Sequence, residues 1–317
     1  MDWVKPFGEI GKGDAALAGG KGASLGEMTQ AGIAVPPGFV VTAPAFEHFL
    51  TETDLAVEID AILSTVDPKN TETIERASEK IQELILRPER PMPKDIEAEI
   101  EEAFKKLNTE FVAVRSSATA EDSSAAAWAG QLDTYLNTTE LTVLPNVKRC
   151  WASLFTPRAI FYRFEKELHA TKFSVAVVVQ KMVASDAAGV AFSVHPVTED
   201  RNQIIIEGTF GLGESVVSGQ VTPDSYVVTK EPREIIDKNV VPKDKGIFRK
   251  QGGGNEWRDI PPETAAEQAV PDAKVLELAD AVVGIEKHYG FPVDVEWAVE
   301  KGNLYILQSR PITTLSS

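Results

Sequence analysis

Apolar residues recur at helical spacing in "PAFEHFLTE", "TETIERASEKIQELIL" and "KDIEAEIEEAFKKL", within residues 44–107. That period predicts amphipathic helices, the last two separated by the breaker-rich "RPERPMP". The pattern then changes. "EFVAVRSSA" is a short β-type run, "QLDTYLN" a second, and a helical block is expected from about Leu141 to Leu168. Two β-branched runs, "SVAVVVQKMV" and "NQIIIEGTF", flank a hairpin-like "GVAFSVHPVT". Residues 240–271 are rich in Gly, Pro and charge and read as an extended loop or poorly ordered excursion. A helix from about Asp272 to Tyr289 leads into a closing hairpin. Segregated helices with mostly hairpin-connected strands argue for an α+β fold rather than a doubly wound sheet. No internal repeat and no sharp domain boundary emerge.

The composition narrows the function classes. With 317 residues, 43% hydrophobic and 25% charged, the chain can bury a core and form more than one lobe. The net charge of −16, from 32 basic and 48 acidic residues, provides no general field for nucleic acid or an anionic membrane. An anionic ligand must then be held by a local cluster of donors, with a metal ion. No apolar run suits a signal peptide or a membrane span, so a cytoplasmic location is expected. The single cysteine, Cys150, rules out an internal disulfide and a multi-thiolate zinc site.

The closing segment "DVEWAVEKGNLYILQSR" carries the most chemistry. A three-residue turn at Lys301, Gly302 and Asn303 closes Glu300 on Leu304 and sets Ala298 opposite Ile306, Glu296 opposite Gln308 and Asp294 opposite Arg310. Those polar residues then share one face, with Val295, Trp297, Val299, Tyr305 and Leu307 on the other. An oxygen-rich patch with an arginine at its edge suits Mg²⁺ and phosphate. It equally describes a solvent-facing hairpin with a cross-strand ion pair. A two-residue loop would shift the register and scatter the set.

Other segments offer phosphate-binding features. "AGGKGASLGEM" sets Lys21 among glycines before a helix, which suits phosphate but also a plain helix entry; it is not a Walker A loop, since Gly22 follows the lysine. In "FVAVRSSATAEDSSAAAWAGQLDTYLN" Val112 and Val114 share one strand face and leave Arg115 on the other beside Ala113. Gly130 further on would let a phosphate approach the backbone. The alternative is a surface arginine ahead of a flexible loop. "GTFGLGESVV" has the wrong glycine spacing for a dinucleotide fingerprint. "VVVQKMV" is either a core strand or a strand entering a hinge, where Gln180 meets an adenine edge. His48, His169, His195 and His288 show no metal-ligand spacing.

Together, "GGKGASLGEM", "VPPGFVVT", "VAVRSSATAED", "AGQLDTYLN", "GVAFSVHPVT", "GLGESVVSGQVTPDSYVV", "DVEWA" and "LQSRPIT" resemble, in order and spacing, one family over essentially the whole chain. It is the amino-terminal nucleotide-binding domain shared by phosphoenolpyruvate synthase, pyruvate phosphate dikinase and rifampin phosphotransferase. The resemblance implies an ATP-grasp-like fold of two lobes, about 1–182 and 183–317, clamping ATP and Mg²⁺. It implies Lys21 and Arg115 on the phosphates, Gly130 and Thr134 lining the phosphate cleft and Gln180 at the purine. Glu296 and Gln308 fall at the magnesium, Arg310 on phosphate, with Asp294 close by; Lys21, Arg115 and Arg310 are the implied catalytic set.

In this family ATP phosphorylates a histidine on a separate swivelling domain and AMP is the nucleotide product. No Gly-rich, His-centred acceptor loop and no pyruvate-binding barrel are found in this sequence. The expectation is therefore an excised domain or a free-standing subunit, with the acceptor histidine elsewhere. His195 in "FSVHPVT" matches a nucleotide-domain strand and turn. "EDSSAAAWAG" departs from the usual family residues. Two other functions stay open: a non-catalytic nucleotide-binding regulatory subunit, and an ATP-grasp ligase forming an acyl phosphate with ADP as product.

Overall fold

The computed structural model describes residues 2–119, 133–165, 174–313 and 315. The chain divides into two compact units, residues 1–27 with 37–181 and residues 28–36 with 182–317. Among the described residues every strand pairing is antiparallel, as an α+β architecture requires.

The first unit holds β1 (Val4–Pro6), β2 (Gly38–Val41), β3 (Val112–Ala118), β4 (Thr134–Thr138) and β5 (Val175–Lys181), in the order β1-β2-β5-β3-β4. Strand alternation sends Phe39, Val41, Val112, Val114, Val175, Val177 and Val179 into one core. Helices Ala43–Glu52, Thr71–Leu86, Lys94–Lys106 and Val143–Ala152 supply the rest of it. In Thr71–Leu86, Ile74, Ala77, Ile81 and Leu84 form the buried stripe, and Asn70 caps the start by accepting the Glu72 N–H at 3.1 Å. Trp151 stacks on Phe49 with ring centroids 5.0 Å apart, and burial of each such side chain stabilises by about 1.5–3 kcal/mol. The helical block expected from Leu141 is broken. Val143–Ala152 ends in a 3₁₀ turn, Ser153–Phe155, and Pro157–Glu165 starts afresh, because Pro157 cannot continue the hydrogen-bond ladder and holds Thr156 extended.

The second unit contains β6 (Ala187–Phe192), β7 (Gln203–Phe210), β8 (Asp224–Thr229), β9 (Glu234–Asn239), β10 (Lys245–Arg249), β11 (Asn255–Asp259), β12 (Val293–Glu300) and β13 (Asn303–Pro311). Its main sheet runs β13-β12-β6-β7-β8-β9. Helix Asp272–Tyr289 packs across it through Val275, Leu278, Ala279, Val282 and Ile285. "GVAFSVHPVT" is not a hairpin: β6 takes its first residues and pairs with β7, while the rest is a turn. His195 Nδ1 accepts the N–H groups of Val197 and Thr198, both at 3.2 Å, so this imidazole serves as a turn cap.

Residues 240–271 are not a loop. β10 and β11 form their own antiparallel pair, and a short helix, Pro262–Ala265, follows. Composition concealed an anchor here: fully buried Asp224 accepts hydrogen bonds from Lys243 Nζ at 2.5 Å, Val241 N at 3.1 Å and Ala269 N at 2.7 Å. Both ends of the segment are thus pinned to β8. Among the described residues no helix is long and apolar enough to cross a membrane.

Candidate functional site

The closing hairpin reaches the expected pairing by another route. Lys301 and Gly302 alone form the turn, both in the left-handed region (φ 49° and 78°), and Glu300 pairs with Asn303. Positive φ at both central positions matches the right-handed twist of the strands. Uncorrected, this shorter turn would put Glu296 opposite Leu307. A bulge intervenes: Trp297 pairs with Ile306, Glu296 with Gln308, and Leu307 is the extra residue. Beyond it, Val295 pairs with Ser309 and Asp294 with Arg310. The expected pairing of Ala298 with Ile306 is therefore wrong, since Ala298 faces Tyr305. Tyr305 and Leu307 also leave the face assigned to them, packing with Val183, Ala188 and Ala298.

Asp294, Glu296, Gln308 and Arg310 consequently share one face. Arg310 Nε donates to Asp294 Oδ2 at 2.7 Å. Burial pushes the Asp294 carboxyl above the ordinary range; Arg310 partly offsets this and nearby Glu296 adds to it. Gln308 is 6% exposed, and its Oε1 has no hydrogen-bond partner among the described residues. An inward carbonyl oxygen left unsatisfied opposite a carboxylate is a donor set that fits a hard divalent cation.

In the first unit, helix Ala15–Gln30 starts earlier than the glycine-lysine segment and is broken at Gly19 (φ 67°, ψ 171°). Only glycine fits there: a Cβ would lie 2.4 Å from the Ser117 carbonyl oxygen. Gly20, Lys21 and Gly22 then form the first turn of a new helical segment against β3. Gly22 N donates to Ser117 Oγ at 3.3 Å, and Lys21 Nζ to the Ser116 carbonyl at 2.8 Å. Arg115, one residue earlier, is 9% exposed and points away from the Val112–Val114 core.

Arg115 lies directly opposite Thr134 on β4, and Gln180 opposite Ala113. Directly opposed residues share a face, so Arg115, Thr134 and Gln180 occupy one side of this sheet, with Gln180 roughly 7–8 Å diagonally from Arg115. Lys21 reaches the strand beside them. Gly130 lies outside the described residues, as does His169.

One residue escapes sequence reasoning. Glu207 is opposite Val190, which is opposite Glu296, so both carboxylates stand on one face of the second sheet with β6 between them. Among the described residues the Glu207 side chain makes no hydrogen bond or ion pair, and burial raises its carboxyl above the usual range. The signal was the lone charge in "IIIEGTF"; the strand order that gives it meaning is a tertiary property.

Residues 15–317 match the family described as pyruvate phosphate dikinase, AMP/ATP-binding domain. The chain belongs to this family. It is 47% identical over 322 residues to a probable phosphoenolpyruvate synthase of Methanocaldococcus jannaschii, covering 99% of this chain and 27% of the relative. The probable phosphoenolpyruvate synthase of Archaeoglobus fulgidus is 48% identical over 313 residues, covering 97% of this chain and 41% of the relative. The phosphoenolpyruvate synthase of Pyrococcus furiosus is 41% identical over 360 residues, covering 99% and 44%. The chain thus spans less than half the length of these curated relatives.

Proposed function

We propose that this chain is an ATP-grasp-like module that binds Mg–ATP and performs the nucleotide half-reaction of a dikinase-type phosphotransferase. A histidine on a separate swivelling domain or partner subunit takes the phosphoryl group, with AMP as nucleotide product. The reading extends to a cytoplasmic setting and to a whole enzyme of the phosphoenolpyruvate synthase kind, whose other domains choose the final acceptor. The observation that carries it is the bulged register, which sets Glu296 against Gln308 and Asp294 against Arg310 on one sheet face.

Glu296 and Gln308 would hold Mg²⁺, with Asp294 alongside; bound there, the ion supplies neutralisation of the charge that develops on the phosphates. Arg310 offers a charge-assisted donor to phosphate. Lys21 and Arg115 add two further cations, with Gly130 and Thr134 lining the phosphate path and Gln180 recognising the purine. The chemistry asks chiefly for alignment and charge neutralisation, so these fixed donors suffice in kind.

Calorimetric titration with a non-hydrolysable ATP analogue tests the reading. Magnesium-dependent binding is expected, weakened by Glu296→Ala and by Gln308→Ala; wild-type affinity in both variants would sink the assignment. Lys21→Ala and Arg115→Ala should impair phosphoryl transfer more than purine affinity. ADP instead of AMP as product would point to ligase chemistry.

A further inference from the structure

The face that carries Glu296 and Gln308 does not end at β12. Its register runs through Val190 on β6 to Glu207 on β7, and through Ala188 to Thr209. Thr209 is fully buried, and its hydroxyl has no hydrogen-bond partner among the described residues. Among the described residues, three polar groups on this face therefore have no hydrogen-bond partner: the Gln308 carbonyl oxygen, the Thr209 hydroxyl and the Glu207 carboxylate.

Two strand spacings separate Glu207 from Glu296, about 10 Å between backbones. With Val190 filling the interval, the two carboxylates do not converge on one ion, and no group of three acidic, His or Cys side chains among the described residues could hold a metal. A lone carboxylate between Val190 and Ser225, with apolar Phe192 and Ile205 on the same face, suits a flat ring with an N–H to donate.

The proposed reaction has one reactant without an assigned partner. Its phosphates have Lys21, Arg115 and Arg310, and its purine has Gln180, but the acceptor imidazole has none. An imidazole attacks through one nitrogen only while the other keeps its proton, and an acceptor facing that N–H fixes the tautomer.

Resting on the function proposed above, we propose that Glu207 is a catalytic residue that accepts the far N–H of the incoming acceptor imidazole. The ring nitrogen's lone pair forms the bond to the β-phosphorus, and the bond from that phosphorus to the α–β bridging oxygen breaks, its electron pair leaving with AMP; the β- and γ-phosphates stay together on the imidazole until the γ-phosphoryl group passes to water or phosphate. The proton stays on the far nitrogen, where the carboxylate balances the positive charge arising on the ring.

The test uses the intact chain saturated with Mg²⁺ and a non-hydrolysable ATP analogue, with imidazole and N-methylimidazole as probes followed by NMR. Only imidazole keeps the N–H, so it should bind about tenfold more tightly, the usual scale for a hydrogen bond to a charged acceptor. Glu207→Met, close in volume but without an acceptor, should abolish that preference, and Glu207→Gln should reduce it, with analogue affinity unchanged in both. Equal binding of the two probes to the wild-type chain, or no binding of either, overturns the proposal. So does weakened analogue binding in Glu207→Gln, which would assign the carboxylate to the nucleotide's ribose hydroxyls. Failure of the wild-type chain to bind the analogue would instead overturn the nucleotide reading itself.

Discussion

The second unit contains two glycine-turned hairpins with opposite uses of register. β10–β11 pairs without a shift from Lys245–Asp259 to Arg249–Asn255, and Lys245 lies over the Trp257 ring at 4.7 Å. β12–β13 is incorporated in the main sheet and shifts once, at Leu307. The regular hairpin is held from outside itself, through Asp224 and Lys243. The irregular one holds the candidate chemistry. A sheet face is fixed by parity, so a single extra residue can restore a polar constellation that a tight turn would otherwise disperse.

The largest expected effect lies at the anchor of the regular hairpin. Asp224→Ala leaves the Lys243 ammonium buried with its main partner gone, and should cost about 3–5 kcal/mol in denaturant unfolding. If the loss stays below 1 kcal/mol, β10–β11 is secured elsewhere and the contrast between the hairpins fails.

Inserting one alanine between Leu307 and Gln308 attacks the other side of the contrast. If the bulge still holds one extra residue, the inserted alanine stands opposite Glu296, Gln308 and Arg310 exchange faces, and magnesium-dependent nucleotide affinity should fall about 100-fold or more, near 2.7 kcal/mol. Leu307→Ala keeps the extra residue and removes only packing against Val183, Ala188 and Ala298, so it should retain most of the affinity. Calorimetry on both variants, with circular dichroism to confirm folding, separates register from side chain. Equal losses would mean that the bulge is not what positions the site.

These hairpins also show what a sequence discloses. In β12–β13 the alternation from Asp294 to Ala298 and the turn-forming Lys301–Gly302 were legible, because strand period and turn chemistry are local. The bulge was not: a three-residue turn and a two-residue turn with a later extra residue give the same Glu296–Gln308 pairing. β10–β11 was hidden because "KQGGGNEW" has loop composition, and its stabilising contacts with Asp224 and Ala265 are remote in sequence. In the first unit the opposite faces of Val114 and Arg115 followed from alternation alone. The approach of Lys21 to Ser116 required the tertiary fold. Glu207 was missed for the same reason, since its relation to Glu296 passes through a third strand.

A smaller effect distinguishes function from stability within β12–β13. The folded-state pKa of Asp294 is raised, so its carboxylate form is disfavoured by folding, and the stability it contributes is lost as pH rises through that pKa. Asp294→Asn should therefore unfold at a slightly higher temperature than wild type at pH 7. The difference should vanish in acid below the unfolded aspartate value, near pH 4. Nucleotide affinity should fall at the same time, since Arg310 loses the carboxylate that orients it. A lower midpoint at pH 7 would show that the ion pair outweighs burial.

The smallest effect comes from lengthening the turns. Two glycines added within Gly252–Gly254 extend a turn that already has three consecutive residues at positive φ, and the entropic cost should stay below about 0.6 kcal/mol. Thermal unfolding and nucleotide affinity should both remain near wild type. The same insertion between Lys301 and Gly302 costs little more in loop entropy, yet it disturbs a two-residue turn whose Lys301 N–H is held by Asp186 Oδ2 at 2.6 Å. Because β12 also pairs with β6, the strand cannot slide to absorb the insertion. The strain must appear at the bulge, beside Gln308, and affinity should respond there while it ignores the longer glycine turn.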